Sequence, residues 1–415
     1  MTAGRLVLLA VTIAGGALLV AGCGSDCDSG ECQGSGSSGT ASTTGSTSGS
    51  SSSGSGSTTA GSSSGTSGFV PAPHDLEQVP LQPGGAVFDS PTLVTVTYAD
   101  DPARAQLEAF GAFLVSSSWL SAIGPEYGIT AASQVNAELP FAAPAGIDDA
   151  ELQTDILGWI SDGGLPSGDG GPSDQYIYMV HFPDPDALTV EGQTLCTFSA
   201  GGYHSENLAD GGRNFAYAVV GACPEPGLDG DAAWQIAASH EFIEASTDPT
   251  PVSKPAYSIS DLSDPWYLVG GEVGDLCSFT PPVLENGYVL TQVWSNQASL
   301  AGGAPCVPDN GAPFIDVDAW PAIQNITAGE SVTVDLTGWS GTAVAAWNLY
   351  AGVYFGSFTP EVALDNPVID NGGTATVTIT APTNAVRNDY AIIFIGSYND
   401  DQTNTGMQVV AVVVR

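Results

Sequence analysis

One stretch limits the architecture of this chain more than any other: Ala237-Ala238-Ser239-His240-Glu241-Phe242-Ile243-Glu244-Ala245-Ser246-Thr247-Asp248-Pro249. It predicts the C-terminal part of a helix. Asp229 or Asp231 can cap the start, and Asp248-Pro249 closes the end, because the residue before proline avoids helical geometry. At spacings of three and four, Ala233, Ile236, Ala237, His240, Glu244 and Thr247 share one side. His240 and Glu244 are then neighbours, with Cβ atoms about 5–6 Å apart. Glu241 sits a step round the helix, placed to reach over whatever the other two hold. Such a pair has two readings. One is a hydrogen-bonded His–Glu pair that is satisfied and structural; the other is part of a metal site.

The metal reading follows the His-Glu-x-x-His helix of zinc proteases, with the second histidine replaced by Glu244. The helix then supplies one nitrogen and one carboxylate. A hydrolytic site needs a third protein ligand and an open position for water. Glu272, in Gly271-Glu272-Val273-Gly274-Asp275, is the expected third ligand, as a downstream glutamate completes the site in thermolysin-like zinc proteases. Asp275 is expected to orient His240 from behind, and Asp248 is the competing ligand. Glu241 is the expected general base. His204, in a glycine-rich stretch read as a loop, is expected to face the reacting centre as an oxyanion donor. His181, at the end of an apolar strand, reads as structural. One divalent cation is implied, zinc first. The oxygen-rich set suits manganese, iron or calcium nearly as well.

The N-terminus reads as delivery. Met1–Arg5 carries one positive charge, Leu6–Val20 is apolar, and Val20-Ala21-Gly22-Cys23 resembles a bacterial lipobox, in which Cys23 would be lipidated. Residues 1–23 are therefore expected to be a lipoprotein signal peptide, with Gly24 pointing to the outer membrane and the cell surface. Residues 24–68 are Ser/Gly/Thr-rich and lack the apolar content to fold. From Gln33 to Gly68 such a coil spans about 30–36 Å. The chain has 45 acidic against 6 basic residues, a formal charge of −39. That field excludes nucleic acid as a partner. Of 7 cysteines, six remain beyond Cys23, and an even count suits an oxidising compartment. Pairing nearest neighbours gives Cys27–Cys32, Cys196–Cys223 and Cys277–Cys306.

Residues 69–309 read as an α+β, zincin-like domain. Strands are predicted at Leu93–Tyr98, Gln175–Phe182 and Phe215–Val220, and helices at Ala103–Leu120 and Asp149–Ile160. Residues 310–415 change character. Phe314–Val317, Ser331–Leu336, Ala343–Tyr354, Thr374–Ile379, Tyr390–Ile395 and Met407–Val414 are strands at regular spacing, as in an immunoglobulin-like sandwich. Trp320, Trp339, Trp347, Tyr350 and Tyr354 there serve either core packing or a sugar-binding face.

Four stretches occur in order: Pro91-Thr-Leu-Val-Thr-Val-Thr-Tyr98, Gly201-Gly-Tyr-His-Ser205, His240-Glu-Phe-Ile-Glu-Ala-Ser-Thr-Asp-Pro249 and Gly271-Glu-Val-Gly-Asp-Leu-Cys277. Together they resemble the EXORDIUM-like (phosphate-induced protein) family of exported proteins, over about Pro91–Pro308. Plant members carry Cys-Gly where this chain has Gly201-Gly202. The resemblance implies export and this motif set, and associates the chain with cell-wall growth rather than with a defined reaction. Two functions follow as expectations. One is a lipid-anchored, peptidase-like metal hydrolase acting on a peptide or cell-wall polymer. The other is a non-catalytic wall-associated adhesion or binding protein on a degenerate zincin scaffold. Cys23→Ala should abolish incorporation of radiolabelled fatty acid into the exported protein; unchanged labelling would remove the anchor.

Overall fold

Strands that are apolar at every position need cover on both faces, which a parallel sheet flanked by helices provides. In the computed structural model Tyr176–Phe182 and Ala216–Gly221 lie at the centre of such a sheet. The described residues are 69–167, 175–199, 201–207, 215–224, 228, 230–399 and 404–415. The expected signal peptide and linker, with Cys23, Cys27, Cys32 and the capping candidate Asp229, lie outside them.

The first part runs β1 (Thr92–Tyr98), α1 (Arg104–Leu114), β2 (Ser133–Leu139), α2 (Asp149–Ser161), β3 (Tyr176–Phe182), β4 (Gly202–Glu206), β5 (Ala216–Gly221) and α3 (Gly230–Thr247). The sheet order is β2-β1-β3-β5-β4. The first four strands are mutually parallel, and β4 pairs antiparallel with β5. Strand alternation sorts the side chains. Leu93, Ile177, Met179, Ala216, Ala218 and Val220 face α1 and α3. Val94, Val96, Tyr178, Val180, Tyr217 and Val219 face Leu152, Ile156 and Ile160 of α2.

Two local readings change. The helix expected over Ala103–Leu120 stops at Leu114 and restarts at Ser118–Ile123, because the Ser117 hydroxyl accepts from Leu120 N and caps the second piece. Gly201–Ser205 is not a loop: Gly202–Glu206 is the edge strand β4. Helix α3 ends at Thr247, before Asp248-Pro249, as the sequence requires, and Asp231 lies within its first turn. It is not amphipathic. Ala232 through Thr247 are all buried, since the sheet covers one side and residues 270–294 the other. Val289 N donates to Gln235 Oε1 and Thr291 N to Ser239 Oγ across that second side.

The C-terminal part has two sheets. In chain order its strands are β6 (Ile315–Trp320), β7 (Ile323–Ile326), β8 (Ser331–Ser340), β9 (Trp347–Gly356), β10 (Glu361–Leu364), β11 (Val368–Ile369), β12 (Thr374–Thr380), β13 (Tyr390–Tyr398) and β14 (Asn404–Val414). They pair as β6-β8-β12-β10 and β7-β14-β13-β9-β11. Between the sheets pack Val317, Val334, Leu336, Val377, Ile393, Ile395, Val410 and Val412. The alternate residues Ile392, Phe394, Met407 and Val409 point the other way and join the core of the first part, with Trp266, Val269 and Phe279. Val70–Arg415 accordingly falls within one compact unit. The aromatic residues do not form one face. Trp347 is buried between the sheets, Trp339 is buried against His74 and Phe314, Tyr354 stacks on Phe394, and Trp320 is 71% exposed.

Two disulfides form as the nearest-neighbour pairing expects, Cys196–Cys223 and Cys277–Cys306. They are consistent with an extracellular, oxidising setting. Cross-linking a loop of about 30 residues is worth about 3–4 kcal/mol in the chain-entropy account.

A strap ahead of β1 ties the two parts together. Val79 and Asn296 exchange two hydrogen bonds of 2.8 Å, Phe88 N donates to Ser246 O, and the His74 side chain meets Asp316 at 3.2 Å. Burial alone would lower the His74 pKa, but Asp316, with Glu77 and Asp318, holds it above the ordinary histidine value. A raised histidine pKa contributes stability below the unfolded value near 6.5, and loses it as pH rises through the folded value. His74→Gln should therefore destabilise by about 1.5–3 kcal/mol at pH 5.5. The wild-type advantage in melting temperature should shrink by pH 9, and an advantage that grows with pH would refute the pairing.

Candidate metal centre

Three elements bring seven ionisable side chains to one point. Helix α3 supplies His240, Glu241 and Glu244, with Asp248 just beyond its end. Strand β4 supplies His204, and the turn over 270–277 supplies Glu272 and Asp275. All seven are buried, with 0–7% of each residue exposed.

Each element delivers its residues for a local reason. On β4, Gly202, His204 and Glu206 alternate toward α3, while Tyr203 turns away and donates to Asp149 at 2.6 Å. His204 Nδ1 stands 3.5 Å from both Glu241 Oε2 and Glu244 Oε2, and its Nε2 stands 3.6 Å from Glu272 Oε1. Nε2 also lies 3.2 Å from the Asp248 carbonyl. One turn back on the helix, His240 Nε2 is 3.1 Å from Glu244 Oε1 and 3.7 Å from Asp275 Oδ1. Glu206, at the end of β4, accepts from Val252 N and Ser253 N and fixes the chain beyond α3.

Glycines make the approach of these elements feasible. A Cβ on Gly274 would lie 2.7 Å from Glu244 Oε1 and 2.8 Å from His240 Cε1, and one on Gly202 would lie 2.9 Å from Glu241 Cγ. Gly270, at φ +123, leaves room for the Asp275 carboxylate, which accepts from Glu272 N at 2.9 Å. Gly274 N donates to Glu244 Oε1 at 3.2 Å.

Hydrogen bonding leaves much of the cluster unpaired. Both ring nitrogens of His240, both carboxylate oxygens of Glu272, Asp248 Oδ2 and Asp275 Oδ1 have no hydrogen-bond partner. No salt bridge joins any of the five carboxylates to Lys or Arg among the described residues. Their titration reflects this crowding. Burial pushes Glu272 well above the carboxylate range, Asp275 up to about 7 and Asp248 up to about 6. Burial also raises Glu241, an effect His204 and His240 partly offset. Burial would raise Glu244 too, but His240 and His204 outweigh it and hold it at about 2. Burial would lower both histidines. Glu272, Glu241 and Glu244 around His204, and Glu244, Asp275 and Glu241 around His240, instead hold them well above the ordinary value.

Donor atoms fall into two close sets, His204–Glu244–Glu272 and His240–Glu244–Asp275. The grouping His240, Glu244 and Glu272 expected from the sequence is thus distributed over both. Asp275 lies beside His240, as an orienting partner would, and also within ligand range. Asp248 contributes its carbonyl toward His204, while its Oδ1 accepts from Ala256 N. His204 stands among the carboxylates rather than at a loop tip. The alternation Gly202-x-His204-x-Glu206 was the signal for a strand that would have placed it there. His181 lies away from the cluster against Trp234, and burial lowers its pKa to about 3, so it stays neutral.

No family model and no curated protein matches this chain. Among solved structures, domains 4 and 5 of the S-layer protein SbsC match 25% of this chain and 53% of theirs, at 18% identity and TM-score 0.20. WR4, a C. elegans MSP family member, matches 24% of this chain and 97% of its own at 12% identity and TM-score 0.19. A point mutant of the SrpA adhesin from Streptococcus sanguinis matches 25% and 58% at 13% identity and TM-score 0.20.

The Gly274 backbone is helical, at φ −80 and ψ −39, so alanine is tolerated there except for contact with the cluster. Gly274→Ala should displace Glu244 or His240 and destabilise by about 1–3 kcal/mol, seen in thermal melting. Wild-type melting and metal content in that variant would show the turn to be packed more loosely than described.

Proposed function

We propose that this is an exported metalloprotein whose zincin-like half carries a metal-dependent, peptidase-like hydrolase centre, followed by an immunoglobulin-like sandwich. The carrying observation is the crowding of buried groups around Glu244: both nitrogens of His240, both oxygens of Glu272, Asp248 Oδ2 and Asp275 Oδ1 lack a hydrogen bond, and the charged contacts left are ion pairs of 3.1–3.7 Å within the cluster. So many buried carboxylates without Lys or Arg are costly unless a cation meets them. One nitrogen with two carboxylates per set is a workable ligand field for zinc, and manganese or iron suit it comparably.

Two further features support the zincin-like reading. The helix bearing His-Glu-x-x-Glu lies across a parallel sheet, and the antiparallel edge strand β4 runs beside it. A divalent cation supplies Lewis acidity toward a water or a carbonyl. Glu241 is the chain's own base: it reaches the cluster from the same helix, and burial raises its proton affinity toward that of a useful acceptor. His204 is drawn toward the charged form by its carboxylate neighbours; a bound cation would displace that proton and leave the imidazole free to ligate. We place the protein in the bacterial envelope, lipid-anchored through Cys23 and with a peptide or wall polymer as substrate.

Burial favours a second reading. With every cluster residue at most 7% exposed, a substrate reaches the ions only if the turn over 270–277 moves. If it does not, the centre braces a non-catalytic surface or adhesion protein. Elemental analysis of purified chain, with Glu241→Gln assayed beside wild type on peptide and ester libraries, separates these. Metal retained with hydrolysis lost in the variant supports the hydrolase. Metal without hydrolysis in wild type supports the brace, and wild type lacking metal after incubation with zinc or manganese would sink both.

A further inference from the structure

The two donor sets share one residue, Glu244, and use different oxygens of it. Oε1 faces His240 at 3.1 Å and Oε2 faces His204 at 3.5 Å. Asp275 completes the first set and Glu272 the second. We propose that the cluster is a dinuclear centre: two divalent cations bridged by the Glu244 carboxylate, one held with His240 and Asp275, the other with His204 and Glu272. This rests on the metal reading above and extends it from one ion to two.

Spacing supports it. Ligand bonds of about 2.0–2.1 Å put neighbouring donors about 3.0–3.4 Å apart around one ion. In the first set His240 Nε2 lies 3.1 Å from Glu244 Oε1 and 3.7 Å from Asp275 Oδ1, at or just beyond that range. In the second, His204, Glu244 and Glu272 each offer one atom, all within 4.8 Å of one another.

Charge is compatible with two ions: the enclosed site holds five carboxylates and no Lys or Arg partner among the described residues, and the Gly274 and Ala256 amides already donate to Glu244 and Asp248. Carboxylate–histidine sets sharing a bridging glutamate are an established way for proteins to hold two such ions.

The test uses the full exported chain, stripped with chelator, reloaded with manganese and passed briefly over chelating resin to remove ions held by the acidic surface. We expect about two manganese ions per chain, and an electron paramagnetic resonance spectrum showing exchange coupling between them. His204→Gln and His240→Gln should each lower the count from two to one and abolish the coupling, while Glu244→Gln should abolish coupling and lower the count. Circular dichroism and melting check that each variant folds; if any does not, wild-type stoichiometry and spectrum decide alone. One ion per chain would overturn the dinuclear centre and leave the metal reading standing. Two uncoupled ions would overturn the bridge, and no bound ion would overturn both readings.

Discussion

Ionised groups withdrawn from water must be compensated from within, and this constraint governs the structure around α3. Five carboxylates and two histidines share one enclosed site, and the chain is so poor in Lys and Arg, with 6 in total, that no basic side chain among the described residues pairs with them. The histidines alone offset part of the charge. Everything around them is arranged to bring donors together rather than to neutralise them: glycines at 202, 270 and 274 remove side chains that would hold the elements apart.

The rest of the fold serves to hold that site shut. The parallel sheet presses β4 and β5 against one side of α3, and the 270–294 segment covers the other, secured by Gln235 and Ser239 and by Cys277–Cys306. The sandwich adds a further layer, since β13 and β14 turn Ile392, Phe394, Met407 and Val409 into the same core. A helix buried on every side cannot be recognised from an apolar stripe. It is stabilised by the depth of its packing, which also lowers the local dielectric and strengthens every electrostatic interaction at the centre.

The turn over 270–277 that covers the cluster is tied by a disulfide and shares its core with the sandwich. The strap from 70 to 88 adds contacts to Ser246 at the end of α3 and to Asp316 in the sandwich.

Local chemistry was legible in the sequence. The helix end at Asp248-Pro249, the strands of long apolar or alternating character, the two disulfides between nearest cysteines and the shared helix of His240, Glu241 and Glu244 follow from residue type and spacing; that His204, Glu272 and Asp275 join them was expected only from motif resemblance. Short or polar strands such as Ser133–Leu139 and Glu361–Leu364 were not, because their pairing depends on a neighbour already in place. The partition of the candidate donors into two sets was also out of reach. His204 lies 36 residues before His240, and Glu272 and Asp275 differ by only three positions, so spacing cannot say which carboxylate meets which imidazole. That was decided by strand alternation in β4 and by the turn at Gly270–Gly274. Sequence sets which donors exist and how neighbours on one element are oriented; only tertiary packing sets distances between elements, and coordination depends on those distances to within tenths of an ångström.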